Sequence, residues 1–152
     1  MSDHGPFLLD VMCGKLATML RFCGYDAAYA LDRGTRDDDR LLDIARREGR
    51  TLLTRDVELA QRAGDRGRCL TERDTDDQLR ELAAYGLDIS LDSEPHYCGD
   101  CNGPVETVPD DDPTPEYAPS TEEFDIWRCR DCGQYFWKGS HWESMKQRLA
   151  AI

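Results

Sequence analysis

Two Cys-x-x-Cys pairs constrain this chain more than any other feature in it. Cys98-Gly-Asp-Cys101 and Cys129-Arg-Asp-Cys132 stand 27 residues apart. Each pair makes a tight turn that aims two thiolates at one point. Two such turns complete a tetrahedral four-sulfur site for Zn2+. Four thiolates leave no open coordination position, so the expected ion is structural. Gly133 follows the second pair, where a knuckle turn often needs positive φ. A redox Cys-x-x-Cys would need a strand before it and a helix after it. Here Pro95 precedes the first pair and Pro104 follows it, which argues for zinc. Cys13, Cys23 and Cys69 lie in apolar settings and read as small buried hydrophobes.

The gap between the pairs is long for a ribbon. Its excess is the stretch 109–123, PDDDPTPEYAPSTEE, which is rich in Pro and acids and has no periodicity. It is expected to hang as a mobile loop between the knuckles. The chain's 152 residues leave room for one other domain ahead of the ribbon. The expected division is 1–93 for that domain and 94–152 for the ribbon with its loop and a final helix. No apolar run approaches the ~20 residues of a membrane span. The opening MSDHGPFLLD lacks the basic start and apolar run of a secretory signal. The expectation is a soluble cytoplasmic protein with no membrane partner.

The formal charge is −12, with 21 Asp, 16 Arg and three Lys. An Asp-rich, Lys-poor surface suits a salt-filled cytoplasm, where carboxylates stay hydrated and screened. This composition suggests a halophilic source. Bulk charge of this sign opposes simple electrostatic binding to nucleic acid. The charge is unevenly spread, however. Residues 95–125 carry nine acids and no Lys or Arg, whereas residues 126–152 carry five basic and two acidic residues. Trp127, Tyr135, Phe136, Trp137 and Trp142 sit in that basic tail.

Ahead of the ribbon, short apolar runs alternate with helical stripes. Strands are expected at 7–9, 25–30, 51–54 and 68–70. Helices are expected at 13–23, after a capping box at Thr35-Arg-Asp-Asp38, at 56–63 and at 74–85. Ser140-His-Trp-Glu143 reads as a second capping box, opening a helix to about Leu149. Alternation of this kind gives an α/β fold with a parallel sheet between two helical layers. Asp10 ends the first strand, Asp56 follows the third, and Asp38 opens the helix after the second. All three fall on the edge where parallel sheets place their sites. Clustered carboxylates suit a hard cation such as Mg2+ or Mn2+ and metal-assisted phosphodiester hydrolysis. Lys15, Arg21 and Arg55 lie close in sequence and could clamp phosphates. Taken singly, Asp10 and Asp56 could equally be helix N-caps, and the run around Asp38 a solvated face.

The ordered series Phe7-Leu-Leu-Asp10, Gly14-Lys-Leu-Ala-x-x-Leu-Arg21, Asp38-x-x-Leu-Leu-x-x-Ala45, Leu-Leu-Thr-Arg-Asp56, both Cys-x-x-Cys pairs and Trp137-x-Gly-Ser-His141-Trp142 resembles one family. This is the PIN-like ribonuclease family named after the C-terminal domain of the protein mut-seven. The resemblance runs from about residue 7 to 145. It implies a PIN-like Rossmannoid domain followed by a zinc ribbon, and a metal-dependent ribonuclease acting on RNA. It assigns Asp10, Asp38 and Asp56 as catalytic metal ligands. Lys15, Arg21 and Arg55 fall on the family's basic positions, and Cys98, Cys101, Cys129 and Cys132 on its zinc ligands. Fuller PIN nucleases carry a further acid on an insertion that is too short here. Asp32, Asp37 or Asp39 would replace it, or one metal would suffice. The alternative reading is a non-catalytic RNA- or ribosome-binding module acting through its ribbon. His141 and Trp142 could then stack on bases, or the aromatics could simply pack around the knuckles.

Overall fold

A computed structural model describes residues 5–152. Four short strands, β1 (Phe7–Leu9), β2 (Ala27–Tyr29), β3 (Thr51–Thr54) and β4 (Gly67–Cys69), form a sheet in the order β2-β1-β3-β4. Every pairing in it is parallel. Leu8 stands level with Ala28 and Leu52 on neighbouring strands, so these three share one face. Phe7, Leu9 and Leu53 point the other way. Strands covered on both faces are apolar without interruption, and FLL is such a strand.

Helices α1 (Gly14–Phe22), α2 (Asp38–Glu48), α3 (Val57–Ala63) and α4 (Thr75–Ala84) fill the crossovers. One buried cluster holds Phe7, Leu9 and Leu53 with Leu16 and Leu20 of α1 and Leu79 and Leu82 of α4. The opposite cluster holds Leu8 and Leu52 with Leu41 and Ile44 of α2 and Leu59 of α3. Each fully buried Leu stabilises the fold by about 1.5–3 kcal/mol before its ordering cost. This is the three-layer α/β architecture expected from the alternating pattern.

The second sheet is antiparallel: β5 (Val105–Thr107), β6 (Ile126–Cys129) and β7 (Tyr135–Trp137), in that order. Cys129 ends β6, while Cys98 and Cys101 lie in the turn before β5 and Cys132 in the turn between β6 and β7. A last helix, α5 (Ser140–Ala150), leaves the ribbon and returns to the α/β domain. Its Leu149 joins the cluster of Phe7 and Leu79, and its Arg148 pairs with Asp76 of α4 at 2.5 Å.

Both expected capping boxes are corrected. Asp37, not Thr35, caps α2, accepting from the Asp39 N–H; Thr35 accepts from the Asp37 N–H in a turn of its own. Thr35 therefore lies two residues too early for the box. α5 begins at Ser140 with Gly139 at its N-cap and no side-chain cap bond. The 109–123 stretch contains no helix or strand. It folds on itself through Thr121 Oγ1 to Asp110 O and Thr114 Oγ1 to Pro119 O. Its Tyr117 hydroxyl accepts the Tyr135 N–H, and the ring lies 6.3 Å from both Tyr135 and Trp137.

Candidate functional site

The sheet order reverses between β1 and β3, so their C-terminal ends flank the crevice where such folds bind ligands. Asp10 directly follows β1, and Asp56 stands two residues beyond β3. Thr54, fully buried at the end of β3, links them. Its hydroxyl donates to Asp10 Oδ2 at 2.6 Å and accepts the Asp56 N–H at 3.0 Å. Both aspartates also cap. Asp10 Oδ1 accepts the Val11 N–H, and Asp56 Oδ1 accepts the Leu59 N–H at the start of α3. Capping consumes one oxygen of each, and Asp56 keeps its second oxygen for other work. Asp38 opens α2 and faces the same edge. Partial burial raises its pKa, as do the negative charges of Asp56 and Asp10, against the opposing Arg62. The three acids thus repel one another across one crevice.

These carboxylates do not form a closed cage. Among the described residues, Cys98, Cys101, Cys129 and Cys132 are the set of potential ligand atoms that all fall within 4.8 Å of one another. Their geometry fits zinc. The Cys98–Cys132 and Cys101–Cys129 sulfurs lie 3.6 and 3.5 Å apart. A tetrahedron with Zn–S bonds of 2.3 Å has sulfur edges of about 3.8 Å. Backbone N–H groups of Gly103, Asp131 and Cys132 point at the knuckle sulfurs at 3.4 Å. Burial pushes the Cys98 thiol up and that of Cys101 to about 11. Cys129 is lowered despite burial, because the N–H groups of Cys132 and Asp131 favour its thiolate. A dication would supply the charge that the buried pair lacks. Gly133 has the expected positive φ, +81°.

The basic positions separate. Lys15 is exposed on the first turn of α1. Arg55 is half-buried, and its Nε is buried with no hydrogen-bond partner. Arg21, expected as a phosphate clamp, is corrected. It is only 3% exposed, and its guanidinium bonds the carbonyls of Ala27 and Gly99, each at 2.9 Å. A group so committed ties the ribbon to β2 and cannot receive a phosphate. His141 is exposed at the start of α5, whereas Trp142 is 9% exposed and packs. Cys13 is buried, and burial pushes its pKa to about 11 with help from Asp10 and against Arg55. Cys23 and Cys69 are half-buried rather than fully buried.

Two further residues, Thr54 and Asn102, take roles that their motifs do not assign. Thr54 was visible only as the Thr of Thr-Arg-Asp, and its hydroxyl bridge needs the β1–β3 pairing to exist. Asn102 follows the first Cys pair at φ +67°. Its amide accepts the Ala27 N–H at 2.9 Å and donates to Asp26 Oδ1 at 2.7 Å. The signal was its position, equivalent to that of Gly133 in the second knuckle. Asn tolerates that conformation and brings a side chain to it.

No curated protein and no solved structure matched the chain. A model of the Mut7-C RNAse domain family matches residues 6–149, which takes in the carboxylate crevice, all four cysteines and most of α5. On that match the chain belongs to the Mut7-C RNAse domain family.

Proposed function

We propose that the chain is a metal-dependent ribonuclease that hydrolyses RNA phosphodiester bonds at the Asp10–Asp38–Asp56 crevice. The observation that carries this is the Thr54 bridge, which holds Asp10 and Asp56 at adjacent strand ends with Asp38 facing them. Mg2+ or Mn2+ fits these oxygen donors, since each acid retains lone pairs and their mutual repulsion favours a cation. When bound, such an ion lowers the pKa of a water and neutralises charge on the phosphate. The chain's own residues do the rest. Asp10 is held in one rotamer by Thr54 and the Val11 N–H. Asp38 approaches from α2 and can hold or take the proton of an attacking water. Lys15, which is exposed, and Arg55, whose Nε has no hydrogen-bond partner, would meet phosphate oxygens. Met12 and Val57, 68% and 60% exposed, follow closely after Asp10 and Asp56 in the chain and would offer apolar contact to a ribose or base.

The test is cleavage of a labelled single-stranded RNA by zinc-loaded protein with added Mn2+ or Mg2+. Cleavage by wild type and a loss of at least about a hundredfold in Asp10→Asn is expected, the scale of removing a group that acts on the transition state. Equal residual cutting by both proteins would mean a contaminant and would sink the reading.

A further inference from the structure

Between the ribbon and the start of α5 lies a cleft of about 370 Å3, large enough for a small ligand. Its walls are mainly aromatic: Trp127, Tyr135, Phe136, Trp137 and Trp142. Thr18 and Phe22 of α1 close the opposite side, with Phe22 edge-on to Phe136 at 6.2 Å between centroids. The Trp137 wall is built by close packing. A Cβ on Gly139 would meet Trp137 Nε1 at 2.7 Å, so only glycine lets the chain turn into α5 past that indole.

Lys138 stands over this cleft, its Nζ 5.8 Å from the Trp127 ring and 5.3 Å from the Trp142 ring. A second depression of about 370 Å3 shares Lys138 and Trp142 and continues to Lys146 and Leu149. Two of the chain's three lysines therefore line one path. Neither makes an ion pair among the described residues, although carboxylates engage ten of the arginines. In a chain of charge −12, cations with no carboxylate partner beside flat aromatic walls call for an anionic, planar ligand. One carboxylate, Asp100, also lines the cleft and can accept from a base N–H.

Helix α1 runs from the cleft back towards Asp10. Lys15, Thr18 and Phe22 share a face of α1, at spacings of three and seven residues. Phe22 and Thr18 line the cleft, and Lys15 lies about 5 Å of helix rise beyond Thr18, towards Asp10.

We infer that this cleft holds an unpaired base of a single-stranded RNA, with its backbone phosphate on Lys138 and the strand running along α1 to the carboxylates. The inference rests on the ribonuclease reading for the direction of the strand and not for the binding itself. Aromatic walls accept any base, because every base has a π-face, and exclude a duplex, whose bases stay stacked. Lys146 meets the next phosphate on the side away from α1. The cut then falls at a set distance from the held nucleotide, with Lys138 and Trp137 as positioning residues.

The experiment is fluorescence anisotropy with a fluorescein-labelled single-stranded oligoribonucleotide and its duplex. It uses the full zinc-loaded chain without added Mg2+ or Mn2+. The single strand is expected to bind at least roughly tenfold more tightly than the duplex. Trp137→Ala should weaken it by roughly tenfold, the size of one lost base stack, and Trp137→Phe should restore it. Lys138→Ala should lower the slope of log K against log salt by about 0.7, one released counterion. Asp10→Asn should keep the preference for the single strand over the duplex. Equal binding by Trp137→Ala and wild type overturns the inference, as does equal binding of the duplex. So does a proline-rich peptide that quenches the cleft tryptophans while RNA does not. If Asp10→Asn abolishes binding and Trp137→Ala does not, the cleft reading falls and the nuclease reading stands. If RNA fills the cleft but wild type never cuts it with either metal, the nuclease reading falls and this one stands.

Discussion

At the scale of single residues, Thr54 and Asp38 carry the sharpest consequences. Thr54 is buried, and its one hydroxyl both donates and accepts. Thr54→Val keeps the shape and removes both bonds, leaving the Asp56 N–H and Asp10 Oδ2 without their partner. A loss of about 1–3 kcal/mol is expected in urea unfolding, together with weakened Mn2+ binding as Asp10 loses its fixed rotamer. Asp38 has a pKa raised in the fold. Its ionised form is therefore disfavoured by folding, so stability falls as pH rises through the raised value and the penalty is fully present above it. Asp38→Asn, zinc-loaded and free of other metals, should melt above wild type at pH 7. The α2 dipole opposes this by about 0.3–1 kcal/mol, so the rise is small. The difference should vanish below the ordinary carboxylate pKa, where Asp38 is neutral in both states. Mn2+ should raise the melting temperature of wild type and not of the variant.

At the scale of elements, the first zinc knuckle behaves as an edge strand for β2. Asn102 takes the Ala27 N–H, and Arg21 donates to the Ala27 carbonyl while its other arm holds Gly99 of the knuckle. The β2 edge of the parallel sheet is thereby covered at Ala27, which removes a template for unwanted pairing there. The contact continues as a polar chain. Asn102 meets Asp26, Asp26 meets Arg50 at 2.7 Å, Arg50 meets Glu48 at 2.7 Å, and Glu48 takes both arms of Arg33 at 2.6 and 2.8 Å. Asn102→Gly keeps the left-handed turn and removes only the side chain. It should leave zinc stoichiometry unchanged and speed hydrogen exchange at Ala27. Retained protection there would refute the edge role. The bonds from Arg33 hold the Glu48 pKa down to about 2 against its partial burial, with Arg50 adding. A depressed folded pKa means stability that is present above the ordinary carboxylate value and lost as pH falls towards about 2. The melting-temperature gap between wild type and Glu48→Gln should accordingly be widest near neutral pH and close on acidification.

At the scale of the whole molecule, ribbon and α/β domain form one folded unit rather than two beads. The knuckle covers β2, and α5 brings Leu149 into the α/β core. Zinc removal by a strong chelator should then do more than melt the ribbon. It should also expose β2, seen as lost exchange protection at Ala27 and Ala28, since the metal's binding free energy is folding free energy here. A ribbon that melts alone, with β2 still protected, would count against this coupling. What the sequence determined by itself was local or periodic. Apolar runs such as FLL, the helical stripes, the two Cys-x-x-Cys turns and the acids at strand ends all follow from spacing of a few residues. Tertiary structure decided what depends on which strands become neighbours. The pairing of β1 with β3 brings the Thr54 hydroxyl between Asp10 and Asp56. The docking of the knuckle on β2 buries Arg21, whose spacing on α1 suited a phosphate equally well. The cap of α2 is Asp37 rather than Thr35, and α5 starts after Gly139 with no side-chain cap. A side chain's role is legible in sequence when its partners lie within a turn or two. It becomes legible only in the fold when its partner comes from another element.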